Sequence, residues 1–251
     1  MIEVQCINKT FQENHVLKNV SAVFKPGKVN MVIGKSGSGK TVLLKSLVGL
    51  HTVDSGAILF DTIDFTKLKN KAKINIRKQV GMLFQGGALF DSATIEENVM
   101  YPMDVFTDFS FAEKLERANI CLARVQLQGA NHLFPAELSG GMQKRAAIAR
   151  AIALNPKYLF CDEPNSGLDP QTAIVIDKLI QEITYEYGIT TVVNTHDMNS
   201  VFGISDSIVF IHEGESWWNG TRDMLLESGN KELDEFLFSS EIMKRLKPIS
   251  K

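Results

Sequence analysis

A run of glycines and serines followed by lysine and threonine has the residue types and the spacing that bind phosphate. It fits the pattern G-x-x-x-x-G-K-[ST] at every fixed position, with the residues Gly34, Lys35, Ser36, Gly37, Ser38, Gly39, Lys40 and Thr41. The apolar run 29–33 before it predicts a short buried strand, and 42–47 after it predicts a helix. This strand–loop–helix context favours a nucleotide site over a Gly/Ser-rich turn that only resembles the motif.

The chemistry of such a loop follows from its residues. Glycines let successive backbone N–H groups face a β-phosphate, and the new helix presents its positive dipole end to the same anion. Lys40 adds a positive charge toward the β- and γ-phosphates, and the Thr41 hydroxyl is suited to bind magnesium. The loop therefore predicts a nucleotide bound together with Mg²⁺.

Two adjacent carboxylates follow a second apolar run. Residues 158–161 are uniformly apolar, as in a parallel strand covered on both faces, and they place Asp162 and Glu163 at the carboxyl end of that strand. Asp162 is predicted to hold the magnesium shell, and Glu163 to polarise the attacking water. Carboxylate pairs at surface turns are common, but a pair after a buried strand, beside a phosphate loop, favours the catalytic interpretation.

Two more polar residues end apolar strands. Gln85 follows the strand 80–84 and precedes a Gly-Gly pair, and on its own it is best read as an ordinary polar strand end. His196 follows the β-branched strand 189–195. Because it lines up with the strand ends that carry Gln85 and Glu163, it could sense a γ-phosphate by hydrogen bonding, although a lone histidine is more often structural.

A second helix start has the features of an anion site. Ser139 is a good N-cap, and Gly140 and Gly141 directly after it are costly inside a helix unless something approaches the backbone closely. An alanine-rich helix is predicted over 146–154. One nucleotide rarely needs two such sites, so the second is expected to serve a nucleotide held by another copy of the chain.

Composition limits the class of protein. The 251 residues are 44% hydrophobic and carry a formal net charge of -2, which argues against a sequence-independent nucleic-acid binder. We expect no nucleic-acid partner. No segment has the pattern of a leader or the apolar length that spans a bilayer, and three scattered cysteines predict free thiols in a reducing cytosol. Phe11 could stack on an adenine ring, but spacing alone favours a core residue.

Local patterns predict the remaining elements. Strands are expected at 2–7, 16–24, 55–61 and 208–211, the last forming a hairpin that includes Trp217 and Trp218 on opposite faces. The lysine-rich stretch 67–78 is read as solvated surface. A capping box at 94–97 opens a short helix that Pro102 closes, and further helices are predicted at 110–125, from Pro170 to about Tyr187 with Asp169 as cap, and at 232–247.

Taken together, these features resemble the ATP-binding-cassette (ABC) ATPase family over nearly the whole chain. The matching segments occur in the family's order: the phosphate loop, Gln85, the LSGGM segment 138–142, the strand 158–163, the SGLDP turn 166–170 and His196. The resemblance implies an α/β fold of P-loop NTPase type. Its RecA-like parallel-sheet core would carry N-terminal antiparallel strands and an inserted α-helical subdomain.

The resemblance also implies roles for single residues. Phe11 takes the place of the adenine-stacking aromatic, and Gln85 that of the glutamine linking magnesium and water to a membrane subunit. Glu163 matches the catalytic base, Asp169 the turn aspartate at the dimer seam, and His196 the switch histidine.

The LSGGM segment matches the family's signature. By resemblance, Ser139, Gly140 and Gly141 close over ATP bound to the opposite chain of a homodimer. Met142 departs from the commoner glutamine at its position. The change should spare the backbone N–H donors.

The expected organisation is a single ABC ATPase domain over 1–251. Residues 1–85 and 156–225 would form the RecA-like core, 86–155 the helical subdomain with the signature, and 226–251 a helical tail. Apolar residues of the insert exceed what its own core requires, so some are expected to face a partner.

Within the family, the segments 81–90 and 138–142 are similar to ATPases of bacterial lipid-transport systems that work with mammalian-cell-entry (MCE) domain proteins, such as the Mla system. This resemblance implies integral membrane permease partners, an MCE-domain partner and a peripheral location at the cytoplasmic face of the inner membrane. Two alternatives stay open at this point. One is an ABC ATPase for another cargo, such as lipoprotein or small-molecule export, and the other is a soluble ABC ATPase such as an iron–sulfur assembly factor.

Overall fold

Two sheets organise the molecule in the computed structural model, which describes residues 1–238. The strands are β1 (Ile2–Phe11), β2 (Asn14–Phe24), β3 (Lys28–Ile33), β4 (Ser55–Phe60), β5 (Ile63–Asp64), β6 (Val80–Leu83), β7 (Tyr158–Asp162), β8 (Thr190–Asn194), β9 (Ser207–His212) and β10 (Glu215–Gly220). The helices are α1 (Lys40–Leu47), α2 (Asn70–Arg77), α3 (Ile95–Phe106), α4 (Phe111–Arg124), α5 (Gly140–Ile152), α6 (Pro170–Tyr187), α7 (Met198–Ile204) and α8 (Lys231–Leu237).

The larger sheet has the strand order β10-β9-β3-β8-β7-β6. Its strands run parallel from β9 to β6, and only the edge strand β10 is antiparallel. Every residue of β7 and β8 is buried, because helices or the second sheet cover both faces. The smaller sheet is antiparallel with the order β2-β1-β4-β5, as predicted for the N-terminal strands.

Alternating side chains of the larger sheet divide the interior into two cores. Met31 and Val193 face a core shared with helices α3 to α6, whereas Val32 and Phe160 face the antiparallel sheet and α1. The helices inserted between β6 and β7 therefore share a core with the parallel sheet. The predicted domain bounds within 1–251 stay a prediction.

Local sequence signals account for most helix starts. Thr94 and Ser110 both form capping boxes with the glutamate three residues later, and Asp169 caps α6, which begins at Pro170 and ends at Tyr187 as predicted. The helix α5 begins at Gly140, earlier than the predicted 146, because Ser139 caps it and the glycines are its first turn. The stretch 67–78 contains the mostly exposed helix α2.

The prediction that Pro102 closes its helix was wrong. Helix α3 continues to Phe106, with Pro102 inside it. Proline removes a single hydrogen bond, and the following turn still forms, since the Thr107 N–H donates to the Met103 carbonyl at 3.0 Å. Met103 is fully buried, so core packing holds the turn after the proline in place.

Other local predictions held. In β10, Trp217 is 42% exposed while Trp218 packs against the core, which confirms that the two rings point to opposite faces. All three cysteines are free, Cys6 exposed and Cys121 and Cys161 buried. Helix α8 matches the start of the predicted helix 232–247, and the rest of that prediction lies outside the described residues. No helix within residues 1–238 is long and apolar enough to cross a membrane.

A close approach of α5 to β6 can be tested at Gly81. A Cβ atom added there would lie 2.3 Å from the Ala151 carbonyl oxygen, so Gly81→Ala forces the helix away from the sheet. We expect the free energy of unfolding to fall by about 1–3 kcal/mol in urea titrations. Gly203→Ala is the control, because its added Cβ meets nothing within 4 Å and alanine favours helix α7 by roughly 0.5–1 kcal/mol. Equal stability of the two variants would contradict this packing account.

Candidate active site for nucleotide hydrolysis

The phosphate loop connects β3 to α1, as the sequence predicts. Its glycines Gly34, Gly37 and Gly39 all have positive φ angles, of 150°, 79° and 105°. Gly34 has no room for a side chain, because an added Cβ would lie 2.2 Å from the Ile211 carbonyl oxygen. The loop can therefore wrap closely around an anion.

Lys40 lies at the start of α1 and is only 5% exposed. Its ammonium donates to the carbonyl oxygens of Gly34 and Lys35 at 2.9 and 3.0 Å, which folds the side chain back over its own loop. Burial lowers the pKa of Lys40, and the nearby carboxylates of Glu163 and Asp162 oppose that shift. A buried ammonium beside a glycine-rich loop at a helix start is suited to bind phosphate. The buried Ser38 hydroxyl, which lacks a hydrogen-bond partner among the described residues, fits the same purpose.

The two predicted magnesium ligands of this loop and of β7 lie together. The Thr41 hydroxyl is 3.3 Å from Oδ1 of Asp162, which is 4% exposed at the end of β7. Within the described part of the chain no cluster of three or more His, Cys, Asp or Glu side chains could hold a metal alone. A magnesium ion bound here would take its remaining oxygen ligands from phosphate and water, which is the usual pattern for Mg²⁺.

The three predicted catalytic side chains also come together. Gln85 Nε2 donates to Glu163 Oε2 at 3.2 Å, and His196 Nδ1 lies 3.0 Å from Glu163 Oε1. They follow the neighbouring parallel strands β6, β7 and β8, so the order of the sheet alone brings them to one edge. Gln85 also donates to the Ser166 hydroxyl at 3.3 Å.

Glu163 has an unusual backbone. Its φ angle is 45°, in the left-handed region that few residues other than glycine adopt. The Glu163 N–H donates to the Asn194 carbonyl of the adjacent strand at 2.9 Å, which holds this conformation. Strained residues of this kind are concentrated at functional sites.

The signature residues lie at a different place on the chain's surface. Ser139 is exposed and accepts the Met142 N–H at 3.3 Å, and Gly140 and Gly141 form the first turn of α5. No hydrogen bond among residues 1–238 joins these three to the phosphate loop. Gly141 is buried and packs tightly within the chain, since an added Cβ would lie 2.5 Å from Thr172 Cγ2 in α6.

Asp169 is exposed at the start of α6. It accepts the N–H groups of Gln171 and Thr172 at 3.0 Å and the Thr172 hydroxyl at 2.5 Å. These bonds hold the pKa of Asp169 below its usual value, with the Thr172 hydroxyl as the largest contributor. The residue is thus an anionic cap that faces solvent beside the signature helix.

Phe11 ends β1 and is 39% exposed, so the expectation of a core residue from spacing alone was wrong. Its ring packs edge-on against His51 at 5.2 Å, and the Lys9 ammonium lies 5.1 Å from the ring centre. The cause is its place beside the β1–β2 turn, where neither sheet face covers it. The ring is therefore partly accessible to a binding partner.

A family comparison fits this geometry. The model of the ABC transporter family matches residues 17–166. This chain belongs to the ABC transporter family. Its cassette is that of an ATPase, and the sequence-based predictions of family, fold class and ATPase activity are confirmed.

Individual relatives cover most of the cassette. The intermembrane phospholipid transport ATP-binding protein MlaF of Haemophilus influenzae is 39% identical over 94% of this chain and 90% of its own length. The probable ribonucleotide transport ATP-binding protein Mkl of Mycobacterium tuberculosis is 36% identical over 94% of this chain, which spans 66% of that protein. A solved dimeric ATP-binding cassette in a post-hydrolysis state with ADP and Pi superposes with a TM-score of 0.81. It is 33% identical and covers 88% of this chain and 99% of its own.

The cassette contains connections that sequence patterns did not reveal. Lys144 of α5 is buried and its ammonium donates to the carbonyl oxygen of Gln85, so the signature helix holds the residue that contacts Glu163. Burial lowers the pKa of Lys144. No local signal marks this lysine, because the interaction depends on how α5 packs on β6.

A second connection links the loop after Glu163 to two helices. Asn165 Nδ2 donates to Asp177 Oδ1 of α6 at 2.8 Å and to the Ser200 hydroxyl of α7 at 2.9 Å. Asp177 is 6% exposed, and burial, with the Asp197 charge adding to it, raises its pKa to about 6. Ordinary polar residues at helical positions give no hint of this network before the fold is known.

The raised pKa of Asp177 predicts a stability change with pH. The folded chain binds a proton at Asp177 up to about pH 6, whereas the unfolded chain releases it near 3.8, so stability falls as the pH rises through that interval. Asp177→Asn keeps the shape and the bond from Asn165 without this cost. We expect it to be more stable than the parent by about 1–3 kcal/mol at pH 7.5 in urea titrations, with the difference shrinking toward pH 4.

The exposed Asp223 provides the matched control, since Asp223→Asn removes the same charge from the surface. Its stability should follow that of the parent at both pH values. A gain for Asp177→Asn that did not change between pH 4 and pH 7.5 would contradict the assignment.

Proposed function

We propose that this chain is the ATP-hydrolysing subunit of a transporter that moves phospholipid between membranes together with an MCE-domain protein. The main support is its 39% identity to MlaF, named for intermembrane phospholipid transport, over 90% of that protein. The mycobacterial relative is named for ribonucleotide transport, so the cargo has to be identified by a separate experiment. The chain would act peripherally at the cytoplasmic face of the inner membrane.

Mg²⁺ would be held by Thr41, Asp162 and Gln85 in this proposal. The hydroxyl and carboxylate oxygens 3.3 Å apart at the base of the phosphate loop have the donor chemistry that Mg²⁺ prefers. When bound, Mg²⁺ neutralises charge on the β- and γ-phosphate oxygens of ATP. The protein's part is to orient the oxygen donors and to hold the phosphates against Lys40 and the loop amides.

Glu163 is the general base in this proposal. Its carboxylate accepts a proton from water as the water oxygen attacks the γ-phosphorus, and the bond to the ADP oxygen breaks. Both oxygens of the Glu163 carboxylate already have a hydrogen-bond partner. Oε2 accepts from Gln85, and Oε1 contacts His196. The same two side chains would contact Mg²⁺ and the γ-phosphate. Bound nucleotide would therefore compete with Glu163 for Gln85 and His196, and its binding would free the Glu163 carboxylate to accept a proton.

The active form would be a homodimer with two nucleotides between the chains. Ser139 and Gly140 are exposed at the start of α5, Gly141 is buried behind them, and none of the three bonds to its own phosphate loop among the described residues. A second copy is therefore the natural recipient of the N–H donors at this helix start. The related solved cassette is dimeric with ADP and Pi. Binding of ATP would close the dimer through contacts to the γ-phosphate, and hydrolysis would remove the anion that joins the chains.

A groove beside Gln85 is the proposed seat of the membrane permease. It has a volume of about 540 Å³ and is lined by β6, by the segment after Gln85 and by α3. Phe90, Tyr101 and Val105 are 43%, 48% and 53% exposed at this groove, as expected if part of the apolar excess of the insert faces a partner. Movement of the permease would thus be coupled to the site through Gln85.

Replacement of the proposed base tests the hydrolytic mechanism. Glu163→Gln keeps the bond to Gln85 possible but cannot accept a proton, so we expect ATP binding to persist while turnover falls by about 100-fold or more. With ATP and Mg²⁺ the variant should sediment as a dimer. Glu213→Gln is the matched control, because Glu213 also has a positive φ, of 47°, and an exposed side chain. Near-normal hydrolysis by Glu163→Gln would exclude Glu163 as the base.

Purification of the complex from solubilised membranes through this chain tests partners and cargo. We expect mass spectrometry to identify a permease, an MCE-domain protein and retained phospholipid. Val105→Arg should lose these partners while the isolated chain keeps its ATPase rate, since the charge enters the apolar groove. Ile120→Arg on α4, where Ile120 is 50% exposed outside the groove, should retain them. A complex with another cargo, or a chain that remains outside the membrane fraction, would contradict the proposed transport function.

A further inference from the structure

An amide side chain lies among the groups proposed to bind magnesium. Asn194 is the last residue of β8 and is completely buried. Its Nδ2 donates to Asp162 Oδ1 at 2.5 Å and to the Thr41 hydroxyl at 3.2 Å. The pairing of β7 with β8 sets Asp162 directly opposite Asn194, so the contact is a consequence of strand register.

The chemistry of the neighbours fixes the orientation of this amide. An ionised carboxylate can only accept hydrogen bonds, so the NH₂ group of Asn194 must face Asp162. The Thr41 hydroxyl then accepts from Asn194 and donates its own proton to Asp162 Oδ1 at 3.3 Å. One amide therefore bridges a side chain of the phosphate loop and a side chain of the adjacent strand.

The amide oxygen of Asn194 makes the arrangement costly. It is buried and has no hydrogen-bond partner among residues 1–238. An apolar residue would satisfy a fully buried position of this sheet without leaving an acceptor unpaired. The two residues before it in β8, Val192 and Val193, are apolar. The unpaired oxygen is an acceptor held beside the two proposed ligands.

We infer that Asn194 is a positioning residue for magnesium, acting through Thr41 and Asp162. This inference rests on the proposed magnesium site. Mg²⁺ demands nearly ideal ligand geometry, and Asn194 fixes the Asp162 carboxylate and the Thr41 hydroxyl before any ion arrives. Side chains that orient metal ligands in this way commonly change metal affinity about 10–100-fold when they are removed.

Asn194→Val tests the inference, with Asn30→Val as a matched control. Asn30 is an equally buried asparagine on the adjacent strand β3, but its Nδ2 donates to the carbonyl oxygens of Lys25, Lys28 and Thr191. The probe is Mn²⁺ added to the full chain with ADP, with unbound Mn²⁺ measured by electron paramagnetic resonance. ADP affinity is measured separately in EDTA, where Lys40 and the loop amides bind the nucleotide without metal.

We expect Asn194→Val to weaken Mn²⁺ binding about 10–100-fold and to leave metal-free ADP affinity unchanged. Asn30→Val should lower the melting temperature but bind Mn²⁺ as the parent does. If the valine substitution prevents ADP binding in EDTA, Asn194→Ala, which only truncates the side chain, replaces it with the same expected result. Parent-like Mn²⁺ binding by Asn194→Val or Asn194→Ala overturns the inference.

Thr41→Ala separates a failure of this inference from a failure of the proposed site. Weakened Mn²⁺ binding by Thr41→Ala, together with parent-like binding by Asn194→Val, would leave the site standing and reject only the role of Asn194. Parent-like Mn²⁺ binding by Thr41→Ala would reject the proposed magnesium site, and the inference with it. Loss of Mn²⁺ affinity in both variants, with Asn30→Val unaffected, supports the inference.

Discussion

The parallel register of β6, β7, β8 and β3 is the constraint on which the site depends. Strands β3, β7 and β8 are buried on both faces, whereas the edge strand β6 is fully buried on one face and half-buried on the other. A slip of one residue would exchange the residues that face the two cores and would be opposed by the packing of the whole sheet. The polar residues at the carboxyl ends of these strands must then lie side by side along one edge of the sheet. Positions of Gln85, Asp162, Glu163 and His196 are therefore determined by apolar side chains that take no part in the chemistry.

That rigid edge also supports a conformation that the chain would not adopt alone. The left-handed backbone of Glu163 costs free energy, of order 1–3 kcal/mol for a residue of this kind, and is held by the bond of its N–H to the Asn194 carbonyl. The loop that follows is joined to α6 and α7 through Asn165. Glu163 is thus fixed on its strand side, whereas its carboxylate contacts two side chains, Gln85 and His196, that are themselves largely exposed.

Local signals in the sequence predicted the parts of this structure that depend on local physics. The phosphate loop, the cap at Asp169 and the apolar strands are each specified within a few residues. Pairings between distant segments were not predictable in that way: Asn194 with Asp162 needs the strand register, and Lys144 with Gln85 needs the packing of α5. Both wrong predictions concern burial, which local patterns do not determine. Burial of Met103 carries α3 past Pro102, and the position of Phe11 at the end of β1, beside the β1–β2 turn, leaves its ring partly uncovered.

Packing within one chain explains one of the two glycines at the start of α5 but not the other. Packing within the chain already favours glycine at position 141, because an added Cβ would lie 2.5 Å from Thr172 Cγ2 of α6 and would force one of the two to move. Gly140 has no such requirement, since an added Cβ would only touch Leu168 at 3.5 Å, an ordinary contact. A glycine that its own fold does not need, exposed at the first turn of a helix capped by Ser139, leaves the backbone open to close approach, as the proposed homodimer requires. Gly140 is therefore the signature residue whose identity is best explained by the proposed contact with a nucleotide on a second copy of the chain.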